Sequence, residues 1–181
     1  LVSGNLQLGI IGALLVEPLR VRVLDAAGLP VEGQAVLFRV EAGDGTIGDG
    51  RRGVVVPTDA SGEAAASFRL GHYAGAASQV VRAVAAGYGE VEFRATALPG
   101  EPDLIVADSG SQQLGLAGHT VPRPLVAAVV DAGRNRLTGV PVRFTVVEGG
   151  GHFEDGSSER VTSTDSDGRA ITSFVLGPED G

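Results

Sequence analysis

The stretch TDASGEAAASFRLG at residues 58–71 returns as TDSDGRAITSFVLG at residues 164–177, 106 residues later. A repeat at that interval divides a chain of 181 residues into two domains of ordinary size. Each copy opens on Thr-Asp-x-x-Gly and closes on Phe-x-Leu-Gly. In between, small or apolar residues alternate with polar ones: Ala64, Ala66, Phe68 and Leu70 in the first copy, Ala170, Thr172, Phe174 and Leu176 in the second. A period of two behind a turn signal predicts a half-buried strand entered through a tight turn.

The likeness extends well beyond that stretch. Residues 1–75 lie over 107–181 without an insertion, with roughly two positions in five identical. In the first copy Leu19, Val21 and Val23 alternate with Arg20 and Arg22, and a second alternating run carries Val36, Phe38 and Val40, matched by Val142, Phe144 and Val146. Leu1 to Gln7 reads as the tail of an edge strand, and Leu8-Gly9 to Gly12 and Leu114-Gly115 to Gly118 read as a glycine-punctuated crossing between sheets. A short edge strand is expected around Val54–Val56, and a hairpin over Ser78–Ala85 and Glu90–Ala97 across Gly87-Tyr88-Gly89. No window sustains a capped 3.6-residue period. The pattern predicts an all-β chain of two antiparallel β-sandwiches of about seven strands each, spanning 1–98 and 103–181, with Pro99 and Pro102 stiffening a linker at 99–102.

Composition narrows the range of partners. A formal charge of −8, with no basic cluster beyond Arg51-Arg52, disfavours nucleic acid and anionic lipid alike. There is no cysteine, so no disulfide framework or thiolate metal site is available. No stretch approaches the ~20 apolar residues of a membrane helix. Six Phe and two Tyr leave the cores to Val, Leu and Ala, which suits sheets.

The motif order is more specific. Ser3-Gly4-x-x-Gln7 is followed by Pro18-Leu19-x-Val21-x-Val23-x-Asp25-x-x-Gly28-x-Pro30-Val31-x-Gly33. Then come Val36-x-Phe38-x-Val40-x-x-Gly43-x-Gly45 and Thr58-Asp59-x-x-Gly62-x-Ala64-x-x-x-Phe68-x-Leu70-Gly71. Over essentially the whole chain this resembles the bacterial Ig-like domains of group 1, the tandem repeats of invasin- and intimin-type surface proteins. The resemblance implies an immunoglobulin-like sandwich. It also implies an extracellular, bacterial cell-surface stalk, fibre or adhesin segment without enzymatic activity, whose partners are neighbouring repeats, like subunits, or a host or cell-surface receptor or glycan. The second copy departs at Arg134 and Arg136, where the family usually has Gly and Pro, so the type of that turn is left open.

A further departure concerns the end of the second copy, where Gly181 corresponds to Gly75. Counterparts of Ser78–Ala97, two core strands, are not in this chain. Either the chain is cut from a longer array, or a strand from a neighbouring chain fills the groove against Val142, Phe144, Phe174 and Leu176.

Other chemistry is weaker. Asp165-Ser166-Asp167-Gly168 has the alternating carboxylates of a calcium loop, but Asp59-Ala60-Ser61-Gly62 has only one and neither ends on glutamate, which favours a side-chain-capped turn. Glu101, Asp103 and Asp108 near the linker are candidate calcium ligands between domains. His72, His119 and His152 lack ligand spacing, and no Ser-His-Asp constellation or carboxylate pair recurs, so no cofactor and no catalytic residue is expected. Tyr73 and Tyr88 in loops support an alternative reading as a carbohydrate-binding accessory module.

Overall fold

The computed structural model describes residues 1–178. The chain divides into two compact units, Leu1–Gly100 and Glu101–Gly181. Among the described residues every element in both is a strand.

Unit 1 holds β1 (Gln7–Ile10), β2 (Leu19–Arg22), β3 (Ala35–Ala42), β4 (Thr46–Ile47), β5 (Gly53–Pro57), β6 (Glu63–Ala66), β7 (Phe68–Arg69), β8 (Gly75–Ala85) and β9 (Gly89–Leu98). One layer is the five-stranded sheet β1-β9-β8-β3-β5; the other is made of the ladders β2-β6 and β4-β7. The alternation seen in the sequence sends one side of each strand into the space between them. Val36, Phe38 and Val40 from β3, Val81 and Ala83 from β8, and Phe93 from β9 meet Leu19, Val21, Ala64, Ala66 and Phe68 from the opposite layer in one core. Phe38 and Phe93 lie at its centre, ring centroids 6.4 Å apart. Burying such a side chain contributes about 1.5–3 kcal/mol.

The 58–71 stretch is two strands rather than one. β6 pairs with β2, Ser67 interrupts, and β7 pairs with β4. Interrupting the strand at Ser67 lets one segment serve both ladders of its layer. The entering Thr-Asp-x-x-Gly is also more than a turn. Thr58 is buried, its hydroxyl donating to Val31 O at 2.6 Å and accepting from Gln34 N at 2.9 Å, which ties it to the bend before β3. Asp59 Oδ1 accepts from Ser61 N and Glu63 N.

The first crossing between layers falls at Gly4–Leu6. Ser3 bridges Arg20 in one layer, while β1 pairs in parallel with β9 in the other. Gly4 has φ +86°, and a Cβ there would collide with the Pro18 carbonyl, so only glycine fits. Gln7 fixes the crossing: its Nε2 donates to Gly4 O and Glu17 O, and its Oε1 accepts from Glu17 N, all at 2.8–2.9 Å.

Unit 2 holds β10 (Leu104–Ser109), β11 (Leu125–Val130), β12 (Pro141–Thr145), β13 (His152–Phe153), β14 (Glu159–Ser163), β15 (Arg169–Thr172) and β16 (Phe174–Val175). Its ladders β11-β15, β12-β14 and β13-β16 repeat β2-β6, β3-β5 and β4-β7 in the same register, 106 positions on. Gln113 makes the same three bonds to Gly110 O, Arg123 O and Arg123 N at 2.7–2.8 Å. Thr164 donates to Leu137 O and accepts from Val140 N, as Thr58 does.

The turn left open by Arg134 keeps its form. Arg134 adopts φ +66° where Gly28 has +79°, and Asp131 Oδ1 accepts from Gly133 N and Asn135 N just as Asp25 Oδ1 accepts from Ala27 N and Leu29 N. Asn135 Nδ2 adds bonds of 3.0 Å to both Asp131 oxygens, so side-chain bonds hold the turn although a non-glycine residue stands in the left-handed region.

Candidate interaction surface

Two segments of unit 2 differ from their counterparts although their sequences barely do. β3 runs for eight residues, but β12 stops after five, so 146–148 are not strand. In unit 1, Val40 and Ala42 find their ladder partners in β8, Val81 and Val80. Likewise β1 pairs with β9 alone, and residues 113–116, which match it, are not strand. Both losses fall where the ladder partner lies in the β8–β9 hairpin. Among the described residues β12 pairs only with β14, which leaves its other edge open.

Side chains beside that edge are correspondingly uncovered. Phe38, Val40, Phe68 and Leu70 are buried in unit 1, whereas Phe144, Val146, Phe174 and Leu176 are half-buried. Of the four residues expected at the groove, Phe144 and Phe174 line one cavity of about 260 Å³ with Leu125, Val146 and Phe153. Leu176 packs toward Gly115, where an added Cβ would stand 2.9 Å from its Cδ1, as Leu70 packs against Gly9 at 2.8 Å. Val142 sits deeper, at 4% exposure, in the cluster of Ala127, Val129, Leu137 and Ala170. Phe153, which the sequence reading overlooks, is the floor of the cavity. Its ring lies 6.4 Å from Phe144 and 5.8 Å from Phe174. The signal for it was the bulky residue two positions after Gly-x-Gly in both copies, Ile47 and Phe153.

The electrostatics of the two units differ at equivalent places. In unit 1 Arg22 and Arg20 both bond Glu63 and hold its carboxyl below the usual range. Arg169 replaces Glu63 in unit 2, and there Arg136 and Arg169 lower Asp108 instead. Asp108, a candidate calcium ligand from sequence, is thus engaged by two guanidiniums. Asp165 Oδ1 accepts from Asp167 N and Arg169 N, the side-chain-capped turn. Among the described residues no group of three His, Asp or Glu is placed to hold a metal ion.

The remaining candidates stay apart. His72 Nδ1 lies 3.1 Å from Asp44 Oδ2, His119 Nδ1 3.0 Å from Ala117 O, and His152 Nδ1 2.9 Å from Phe153 O. Burial pushes the Asp44 carboxyl up, but bonds from His72 and from Tyr73 N–H outweigh it and leave it lowered. Tyr73 and Tyr88 are both exposed and flank opposite ends of β8. A strand of that length separates them by on the order of 30 Å, too far for one stacking platform. Arg52 Nη1 donates to Gly43 O across its own loop. Among the described residues no helix is long and apolar enough to cross a membrane.

No protein-family model matches the chain, and no curated protein does. Solved structures do resemble it. The adhesin InvE of Yersinia pseudotuberculosis aligns over 95% of this chain and 49% of its own, at 17% identity and a TM-score of 0.44. Invasin, described as a bacterial integrin-binding protein, aligns over 98% of this chain and 33% of its own, at 16% identity and a TM-score of 0.43. Domains 5–6 of the S-layer protein SbsC align over 99% and 96%, at 14% identity and a TM-score of 0.36. The chain thus spans about half of the first protein and a third of the second. Likeness at this level bears on neither activity nor partner.

Proposed function

We propose that this chain is a segment of an extracellular bacterial cell-surface protein, in which tandem Ig-like repeats of the group 1, invasin- and intimin-type kind act as a structural or adhesive spacer. The observation that carries the reading is the pair of side-chain clamps repeated 106 residues apart. Gln7 and Gln113 make the same three bonds, and Thr58 and Thr164 the same two. The residues that carry the family resemblance are therefore those that hold the scaffold, and outward positions such as Leu37 and Arg143 differ freely. A scaffold kept while its surface drifts is what a repeated spacer requires, because its task is dimension and rigidity rather than a shared pocket. The linker at 99–102 is read as short and stiff from its two prolines, Pro99 and Pro102.

The test is immunogold labelling and protease shaving of intact cells of the source organism. Label outside the envelope, removed by shaving, is expected. Protein confined to the cytosolic fraction contradicts the reading.

A further inference from the structure

We propose that unit 1 bears tension along the chain, with the pairing of β1 and β9 as a clamp loaded in shear. The proposal deepens the spacer reading and rests on it for the direction of load, which a tethered segment feels between its two chain ends.

The topology carries the argument. β1 is the first strand of unit 1, β9 ends at Leu98 beside the linker, and the two pair in parallel from Gln7 opposite Ala95 to Ile10 opposite Leu98. Tension therefore draws β1 toward its N-terminal end and β9 toward its C-terminal end. In a parallel pair those two directions are opposed along the strand axis, across the inter-strand bonds, so the rungs are loaded together. The β8–β9 hairpin is the contrast. It is antiparallel, with Gly75 opposite Ala97 at its open end, so drawing those ends apart parts it one rung at a time.

The clamp reaches past the strand at both ends. Before the first ladder pair, Asn5 Oδ1 accepts from Arg94 N and Leu6 N donates to Arg94 O, each at 2.8 Å. After the last, Ile11 N donates to Leu98 O at 2.9 Å. The backbone turns at Gly4 and Leu6, φ +86° and +58°, and the Asn5 side chain supplies a rung across that turn.

The composition of β1 fits this role better than a role in the core. Its outward Leu8 and Ile10 are 63% and 54% exposed, and its inward positions are Gln7 and Gly9. An added Cβ at Gly9 would stand 2.8 Å from Leu70 Cδ1, so that position makes room for a core side chain and provides none. Gln7 bonds Gly4 O and both backbone groups of Glu17, which ties the strand to the segment before β2. A strand that buries so little apolar surface gains little from the hydrophobic effect. What it adds is hydrogen bonds aligned against sliding.

The experiment is single-molecule force measurement on the full chain. The chain has no cysteine, so a pair of introduced cysteines gives unique attachment points for handles. Leu1→Cys with Glu101→Cys loads β1 against β9, and Ala76→Cys with Glu101→Cys loads the open end of the β8–β9 hairpin. All three positions are exposed, and the chain beyond Glu101 carries no load in either geometry. Forced unfolding reports the barrier along the pulled direction, so the first geometry is expected to rupture at about twice the force of the second at equal loading rate. Asn5→Ala should lower the first force and leave the second unchanged. Equal forces in the two directions overturn the proposal. An Asn5→Ala loss equal in both overturns it as well, because the bond would then stabilise the fold without bearing load. Either failure leaves the cell-surface location standing, and a cytosolic location would remove the spacer reading while leaving the directional strength.

Discussion

Phe144 meets Phe153 edge-on, ring centroids 6.4 Å apart and planes at 67°, on a core that is closed on one side only. Its counterpart Phe38 is fully buried and faces Phe93 of the β8–β9 hairpin, whereas among the described residues of unit 2 β12 has a ladder partner, β14, on one side only. Phe38→Ala is therefore expected to destabilise unit 1 by about 3–5 kcal/mol. Phe144→Ala should cost unit 2 roughly half as much, because less of its ring is removed from water. Denaturant titration of each variant checks the ratio, and equal costs would show that Phe144 is as enclosed as Phe38.

The glutamine clamps should behave alike. Gln7→Ala and Gln113→Ala each remove three bonds to backbone groups, for an expected loss of about 1–3 kcal/mol in the unit concerned. Thermal melts of the two variants provide the comparison. A cost in one unit only would separate the two scaffolds.

Arg134 occupies a backbone conformation that glycine adopts freely. Arg134→Gly is predicted to stabilise unit 2 by about 0.5–1 kcal/mol, and Gly28→Ala to destabilise unit 1. A lower melting temperature for Arg134→Gly would mean that the Asp131–Asn135 bonds remove the strain entirely.

The acid limb of stability has a defined sign. Arg136 and Arg169 hold Asp108 below the ordinary carboxylate range near pH ~4. A carboxyl depressed by folding adds stability that is complete above its unfolded pKa and is lost as pH falls through the lower folded value. Unit 2 should therefore lose stability downward from about pH 4, and Asp108→Asn should flatten that fall. Melting temperatures followed from pH 7 to pH 2 give the slope. An unchanged slope would show that the ion pairs contribute nothing.

Much of this was legible from residue order. The repeat interval, the alternation through Val36, Phe38 and Val40, and the side-chain-capped turn at Asp165 all appear in the structure, because each depends on near neighbours in the chain. What was illegible depends on distant ones. β4 is two residues long, too short to show a period. The 58–71 segment splits at Ser67 because it answers to two different partners. Gln79 gives no hint in sequence that it is fully buried. Gln113-Leu114-Gly115 matches Gln7-Leu8-Gly9 residue for residue, yet only the latter forms a strand, since a ladder needs a partner as well as a propensity.

The most direct measurement is amide hydrogen exchange on the unmodified chain, comparing each residue of unit 1 with the residue 106 positions on. Strong protection is expected through β3 to Ala42 and along β1, with fast exchange at 146–148 and 113–116 and matched protection in β5 and β14. Equal protection of the two copies at 40–42 and 146–148 would contradict it.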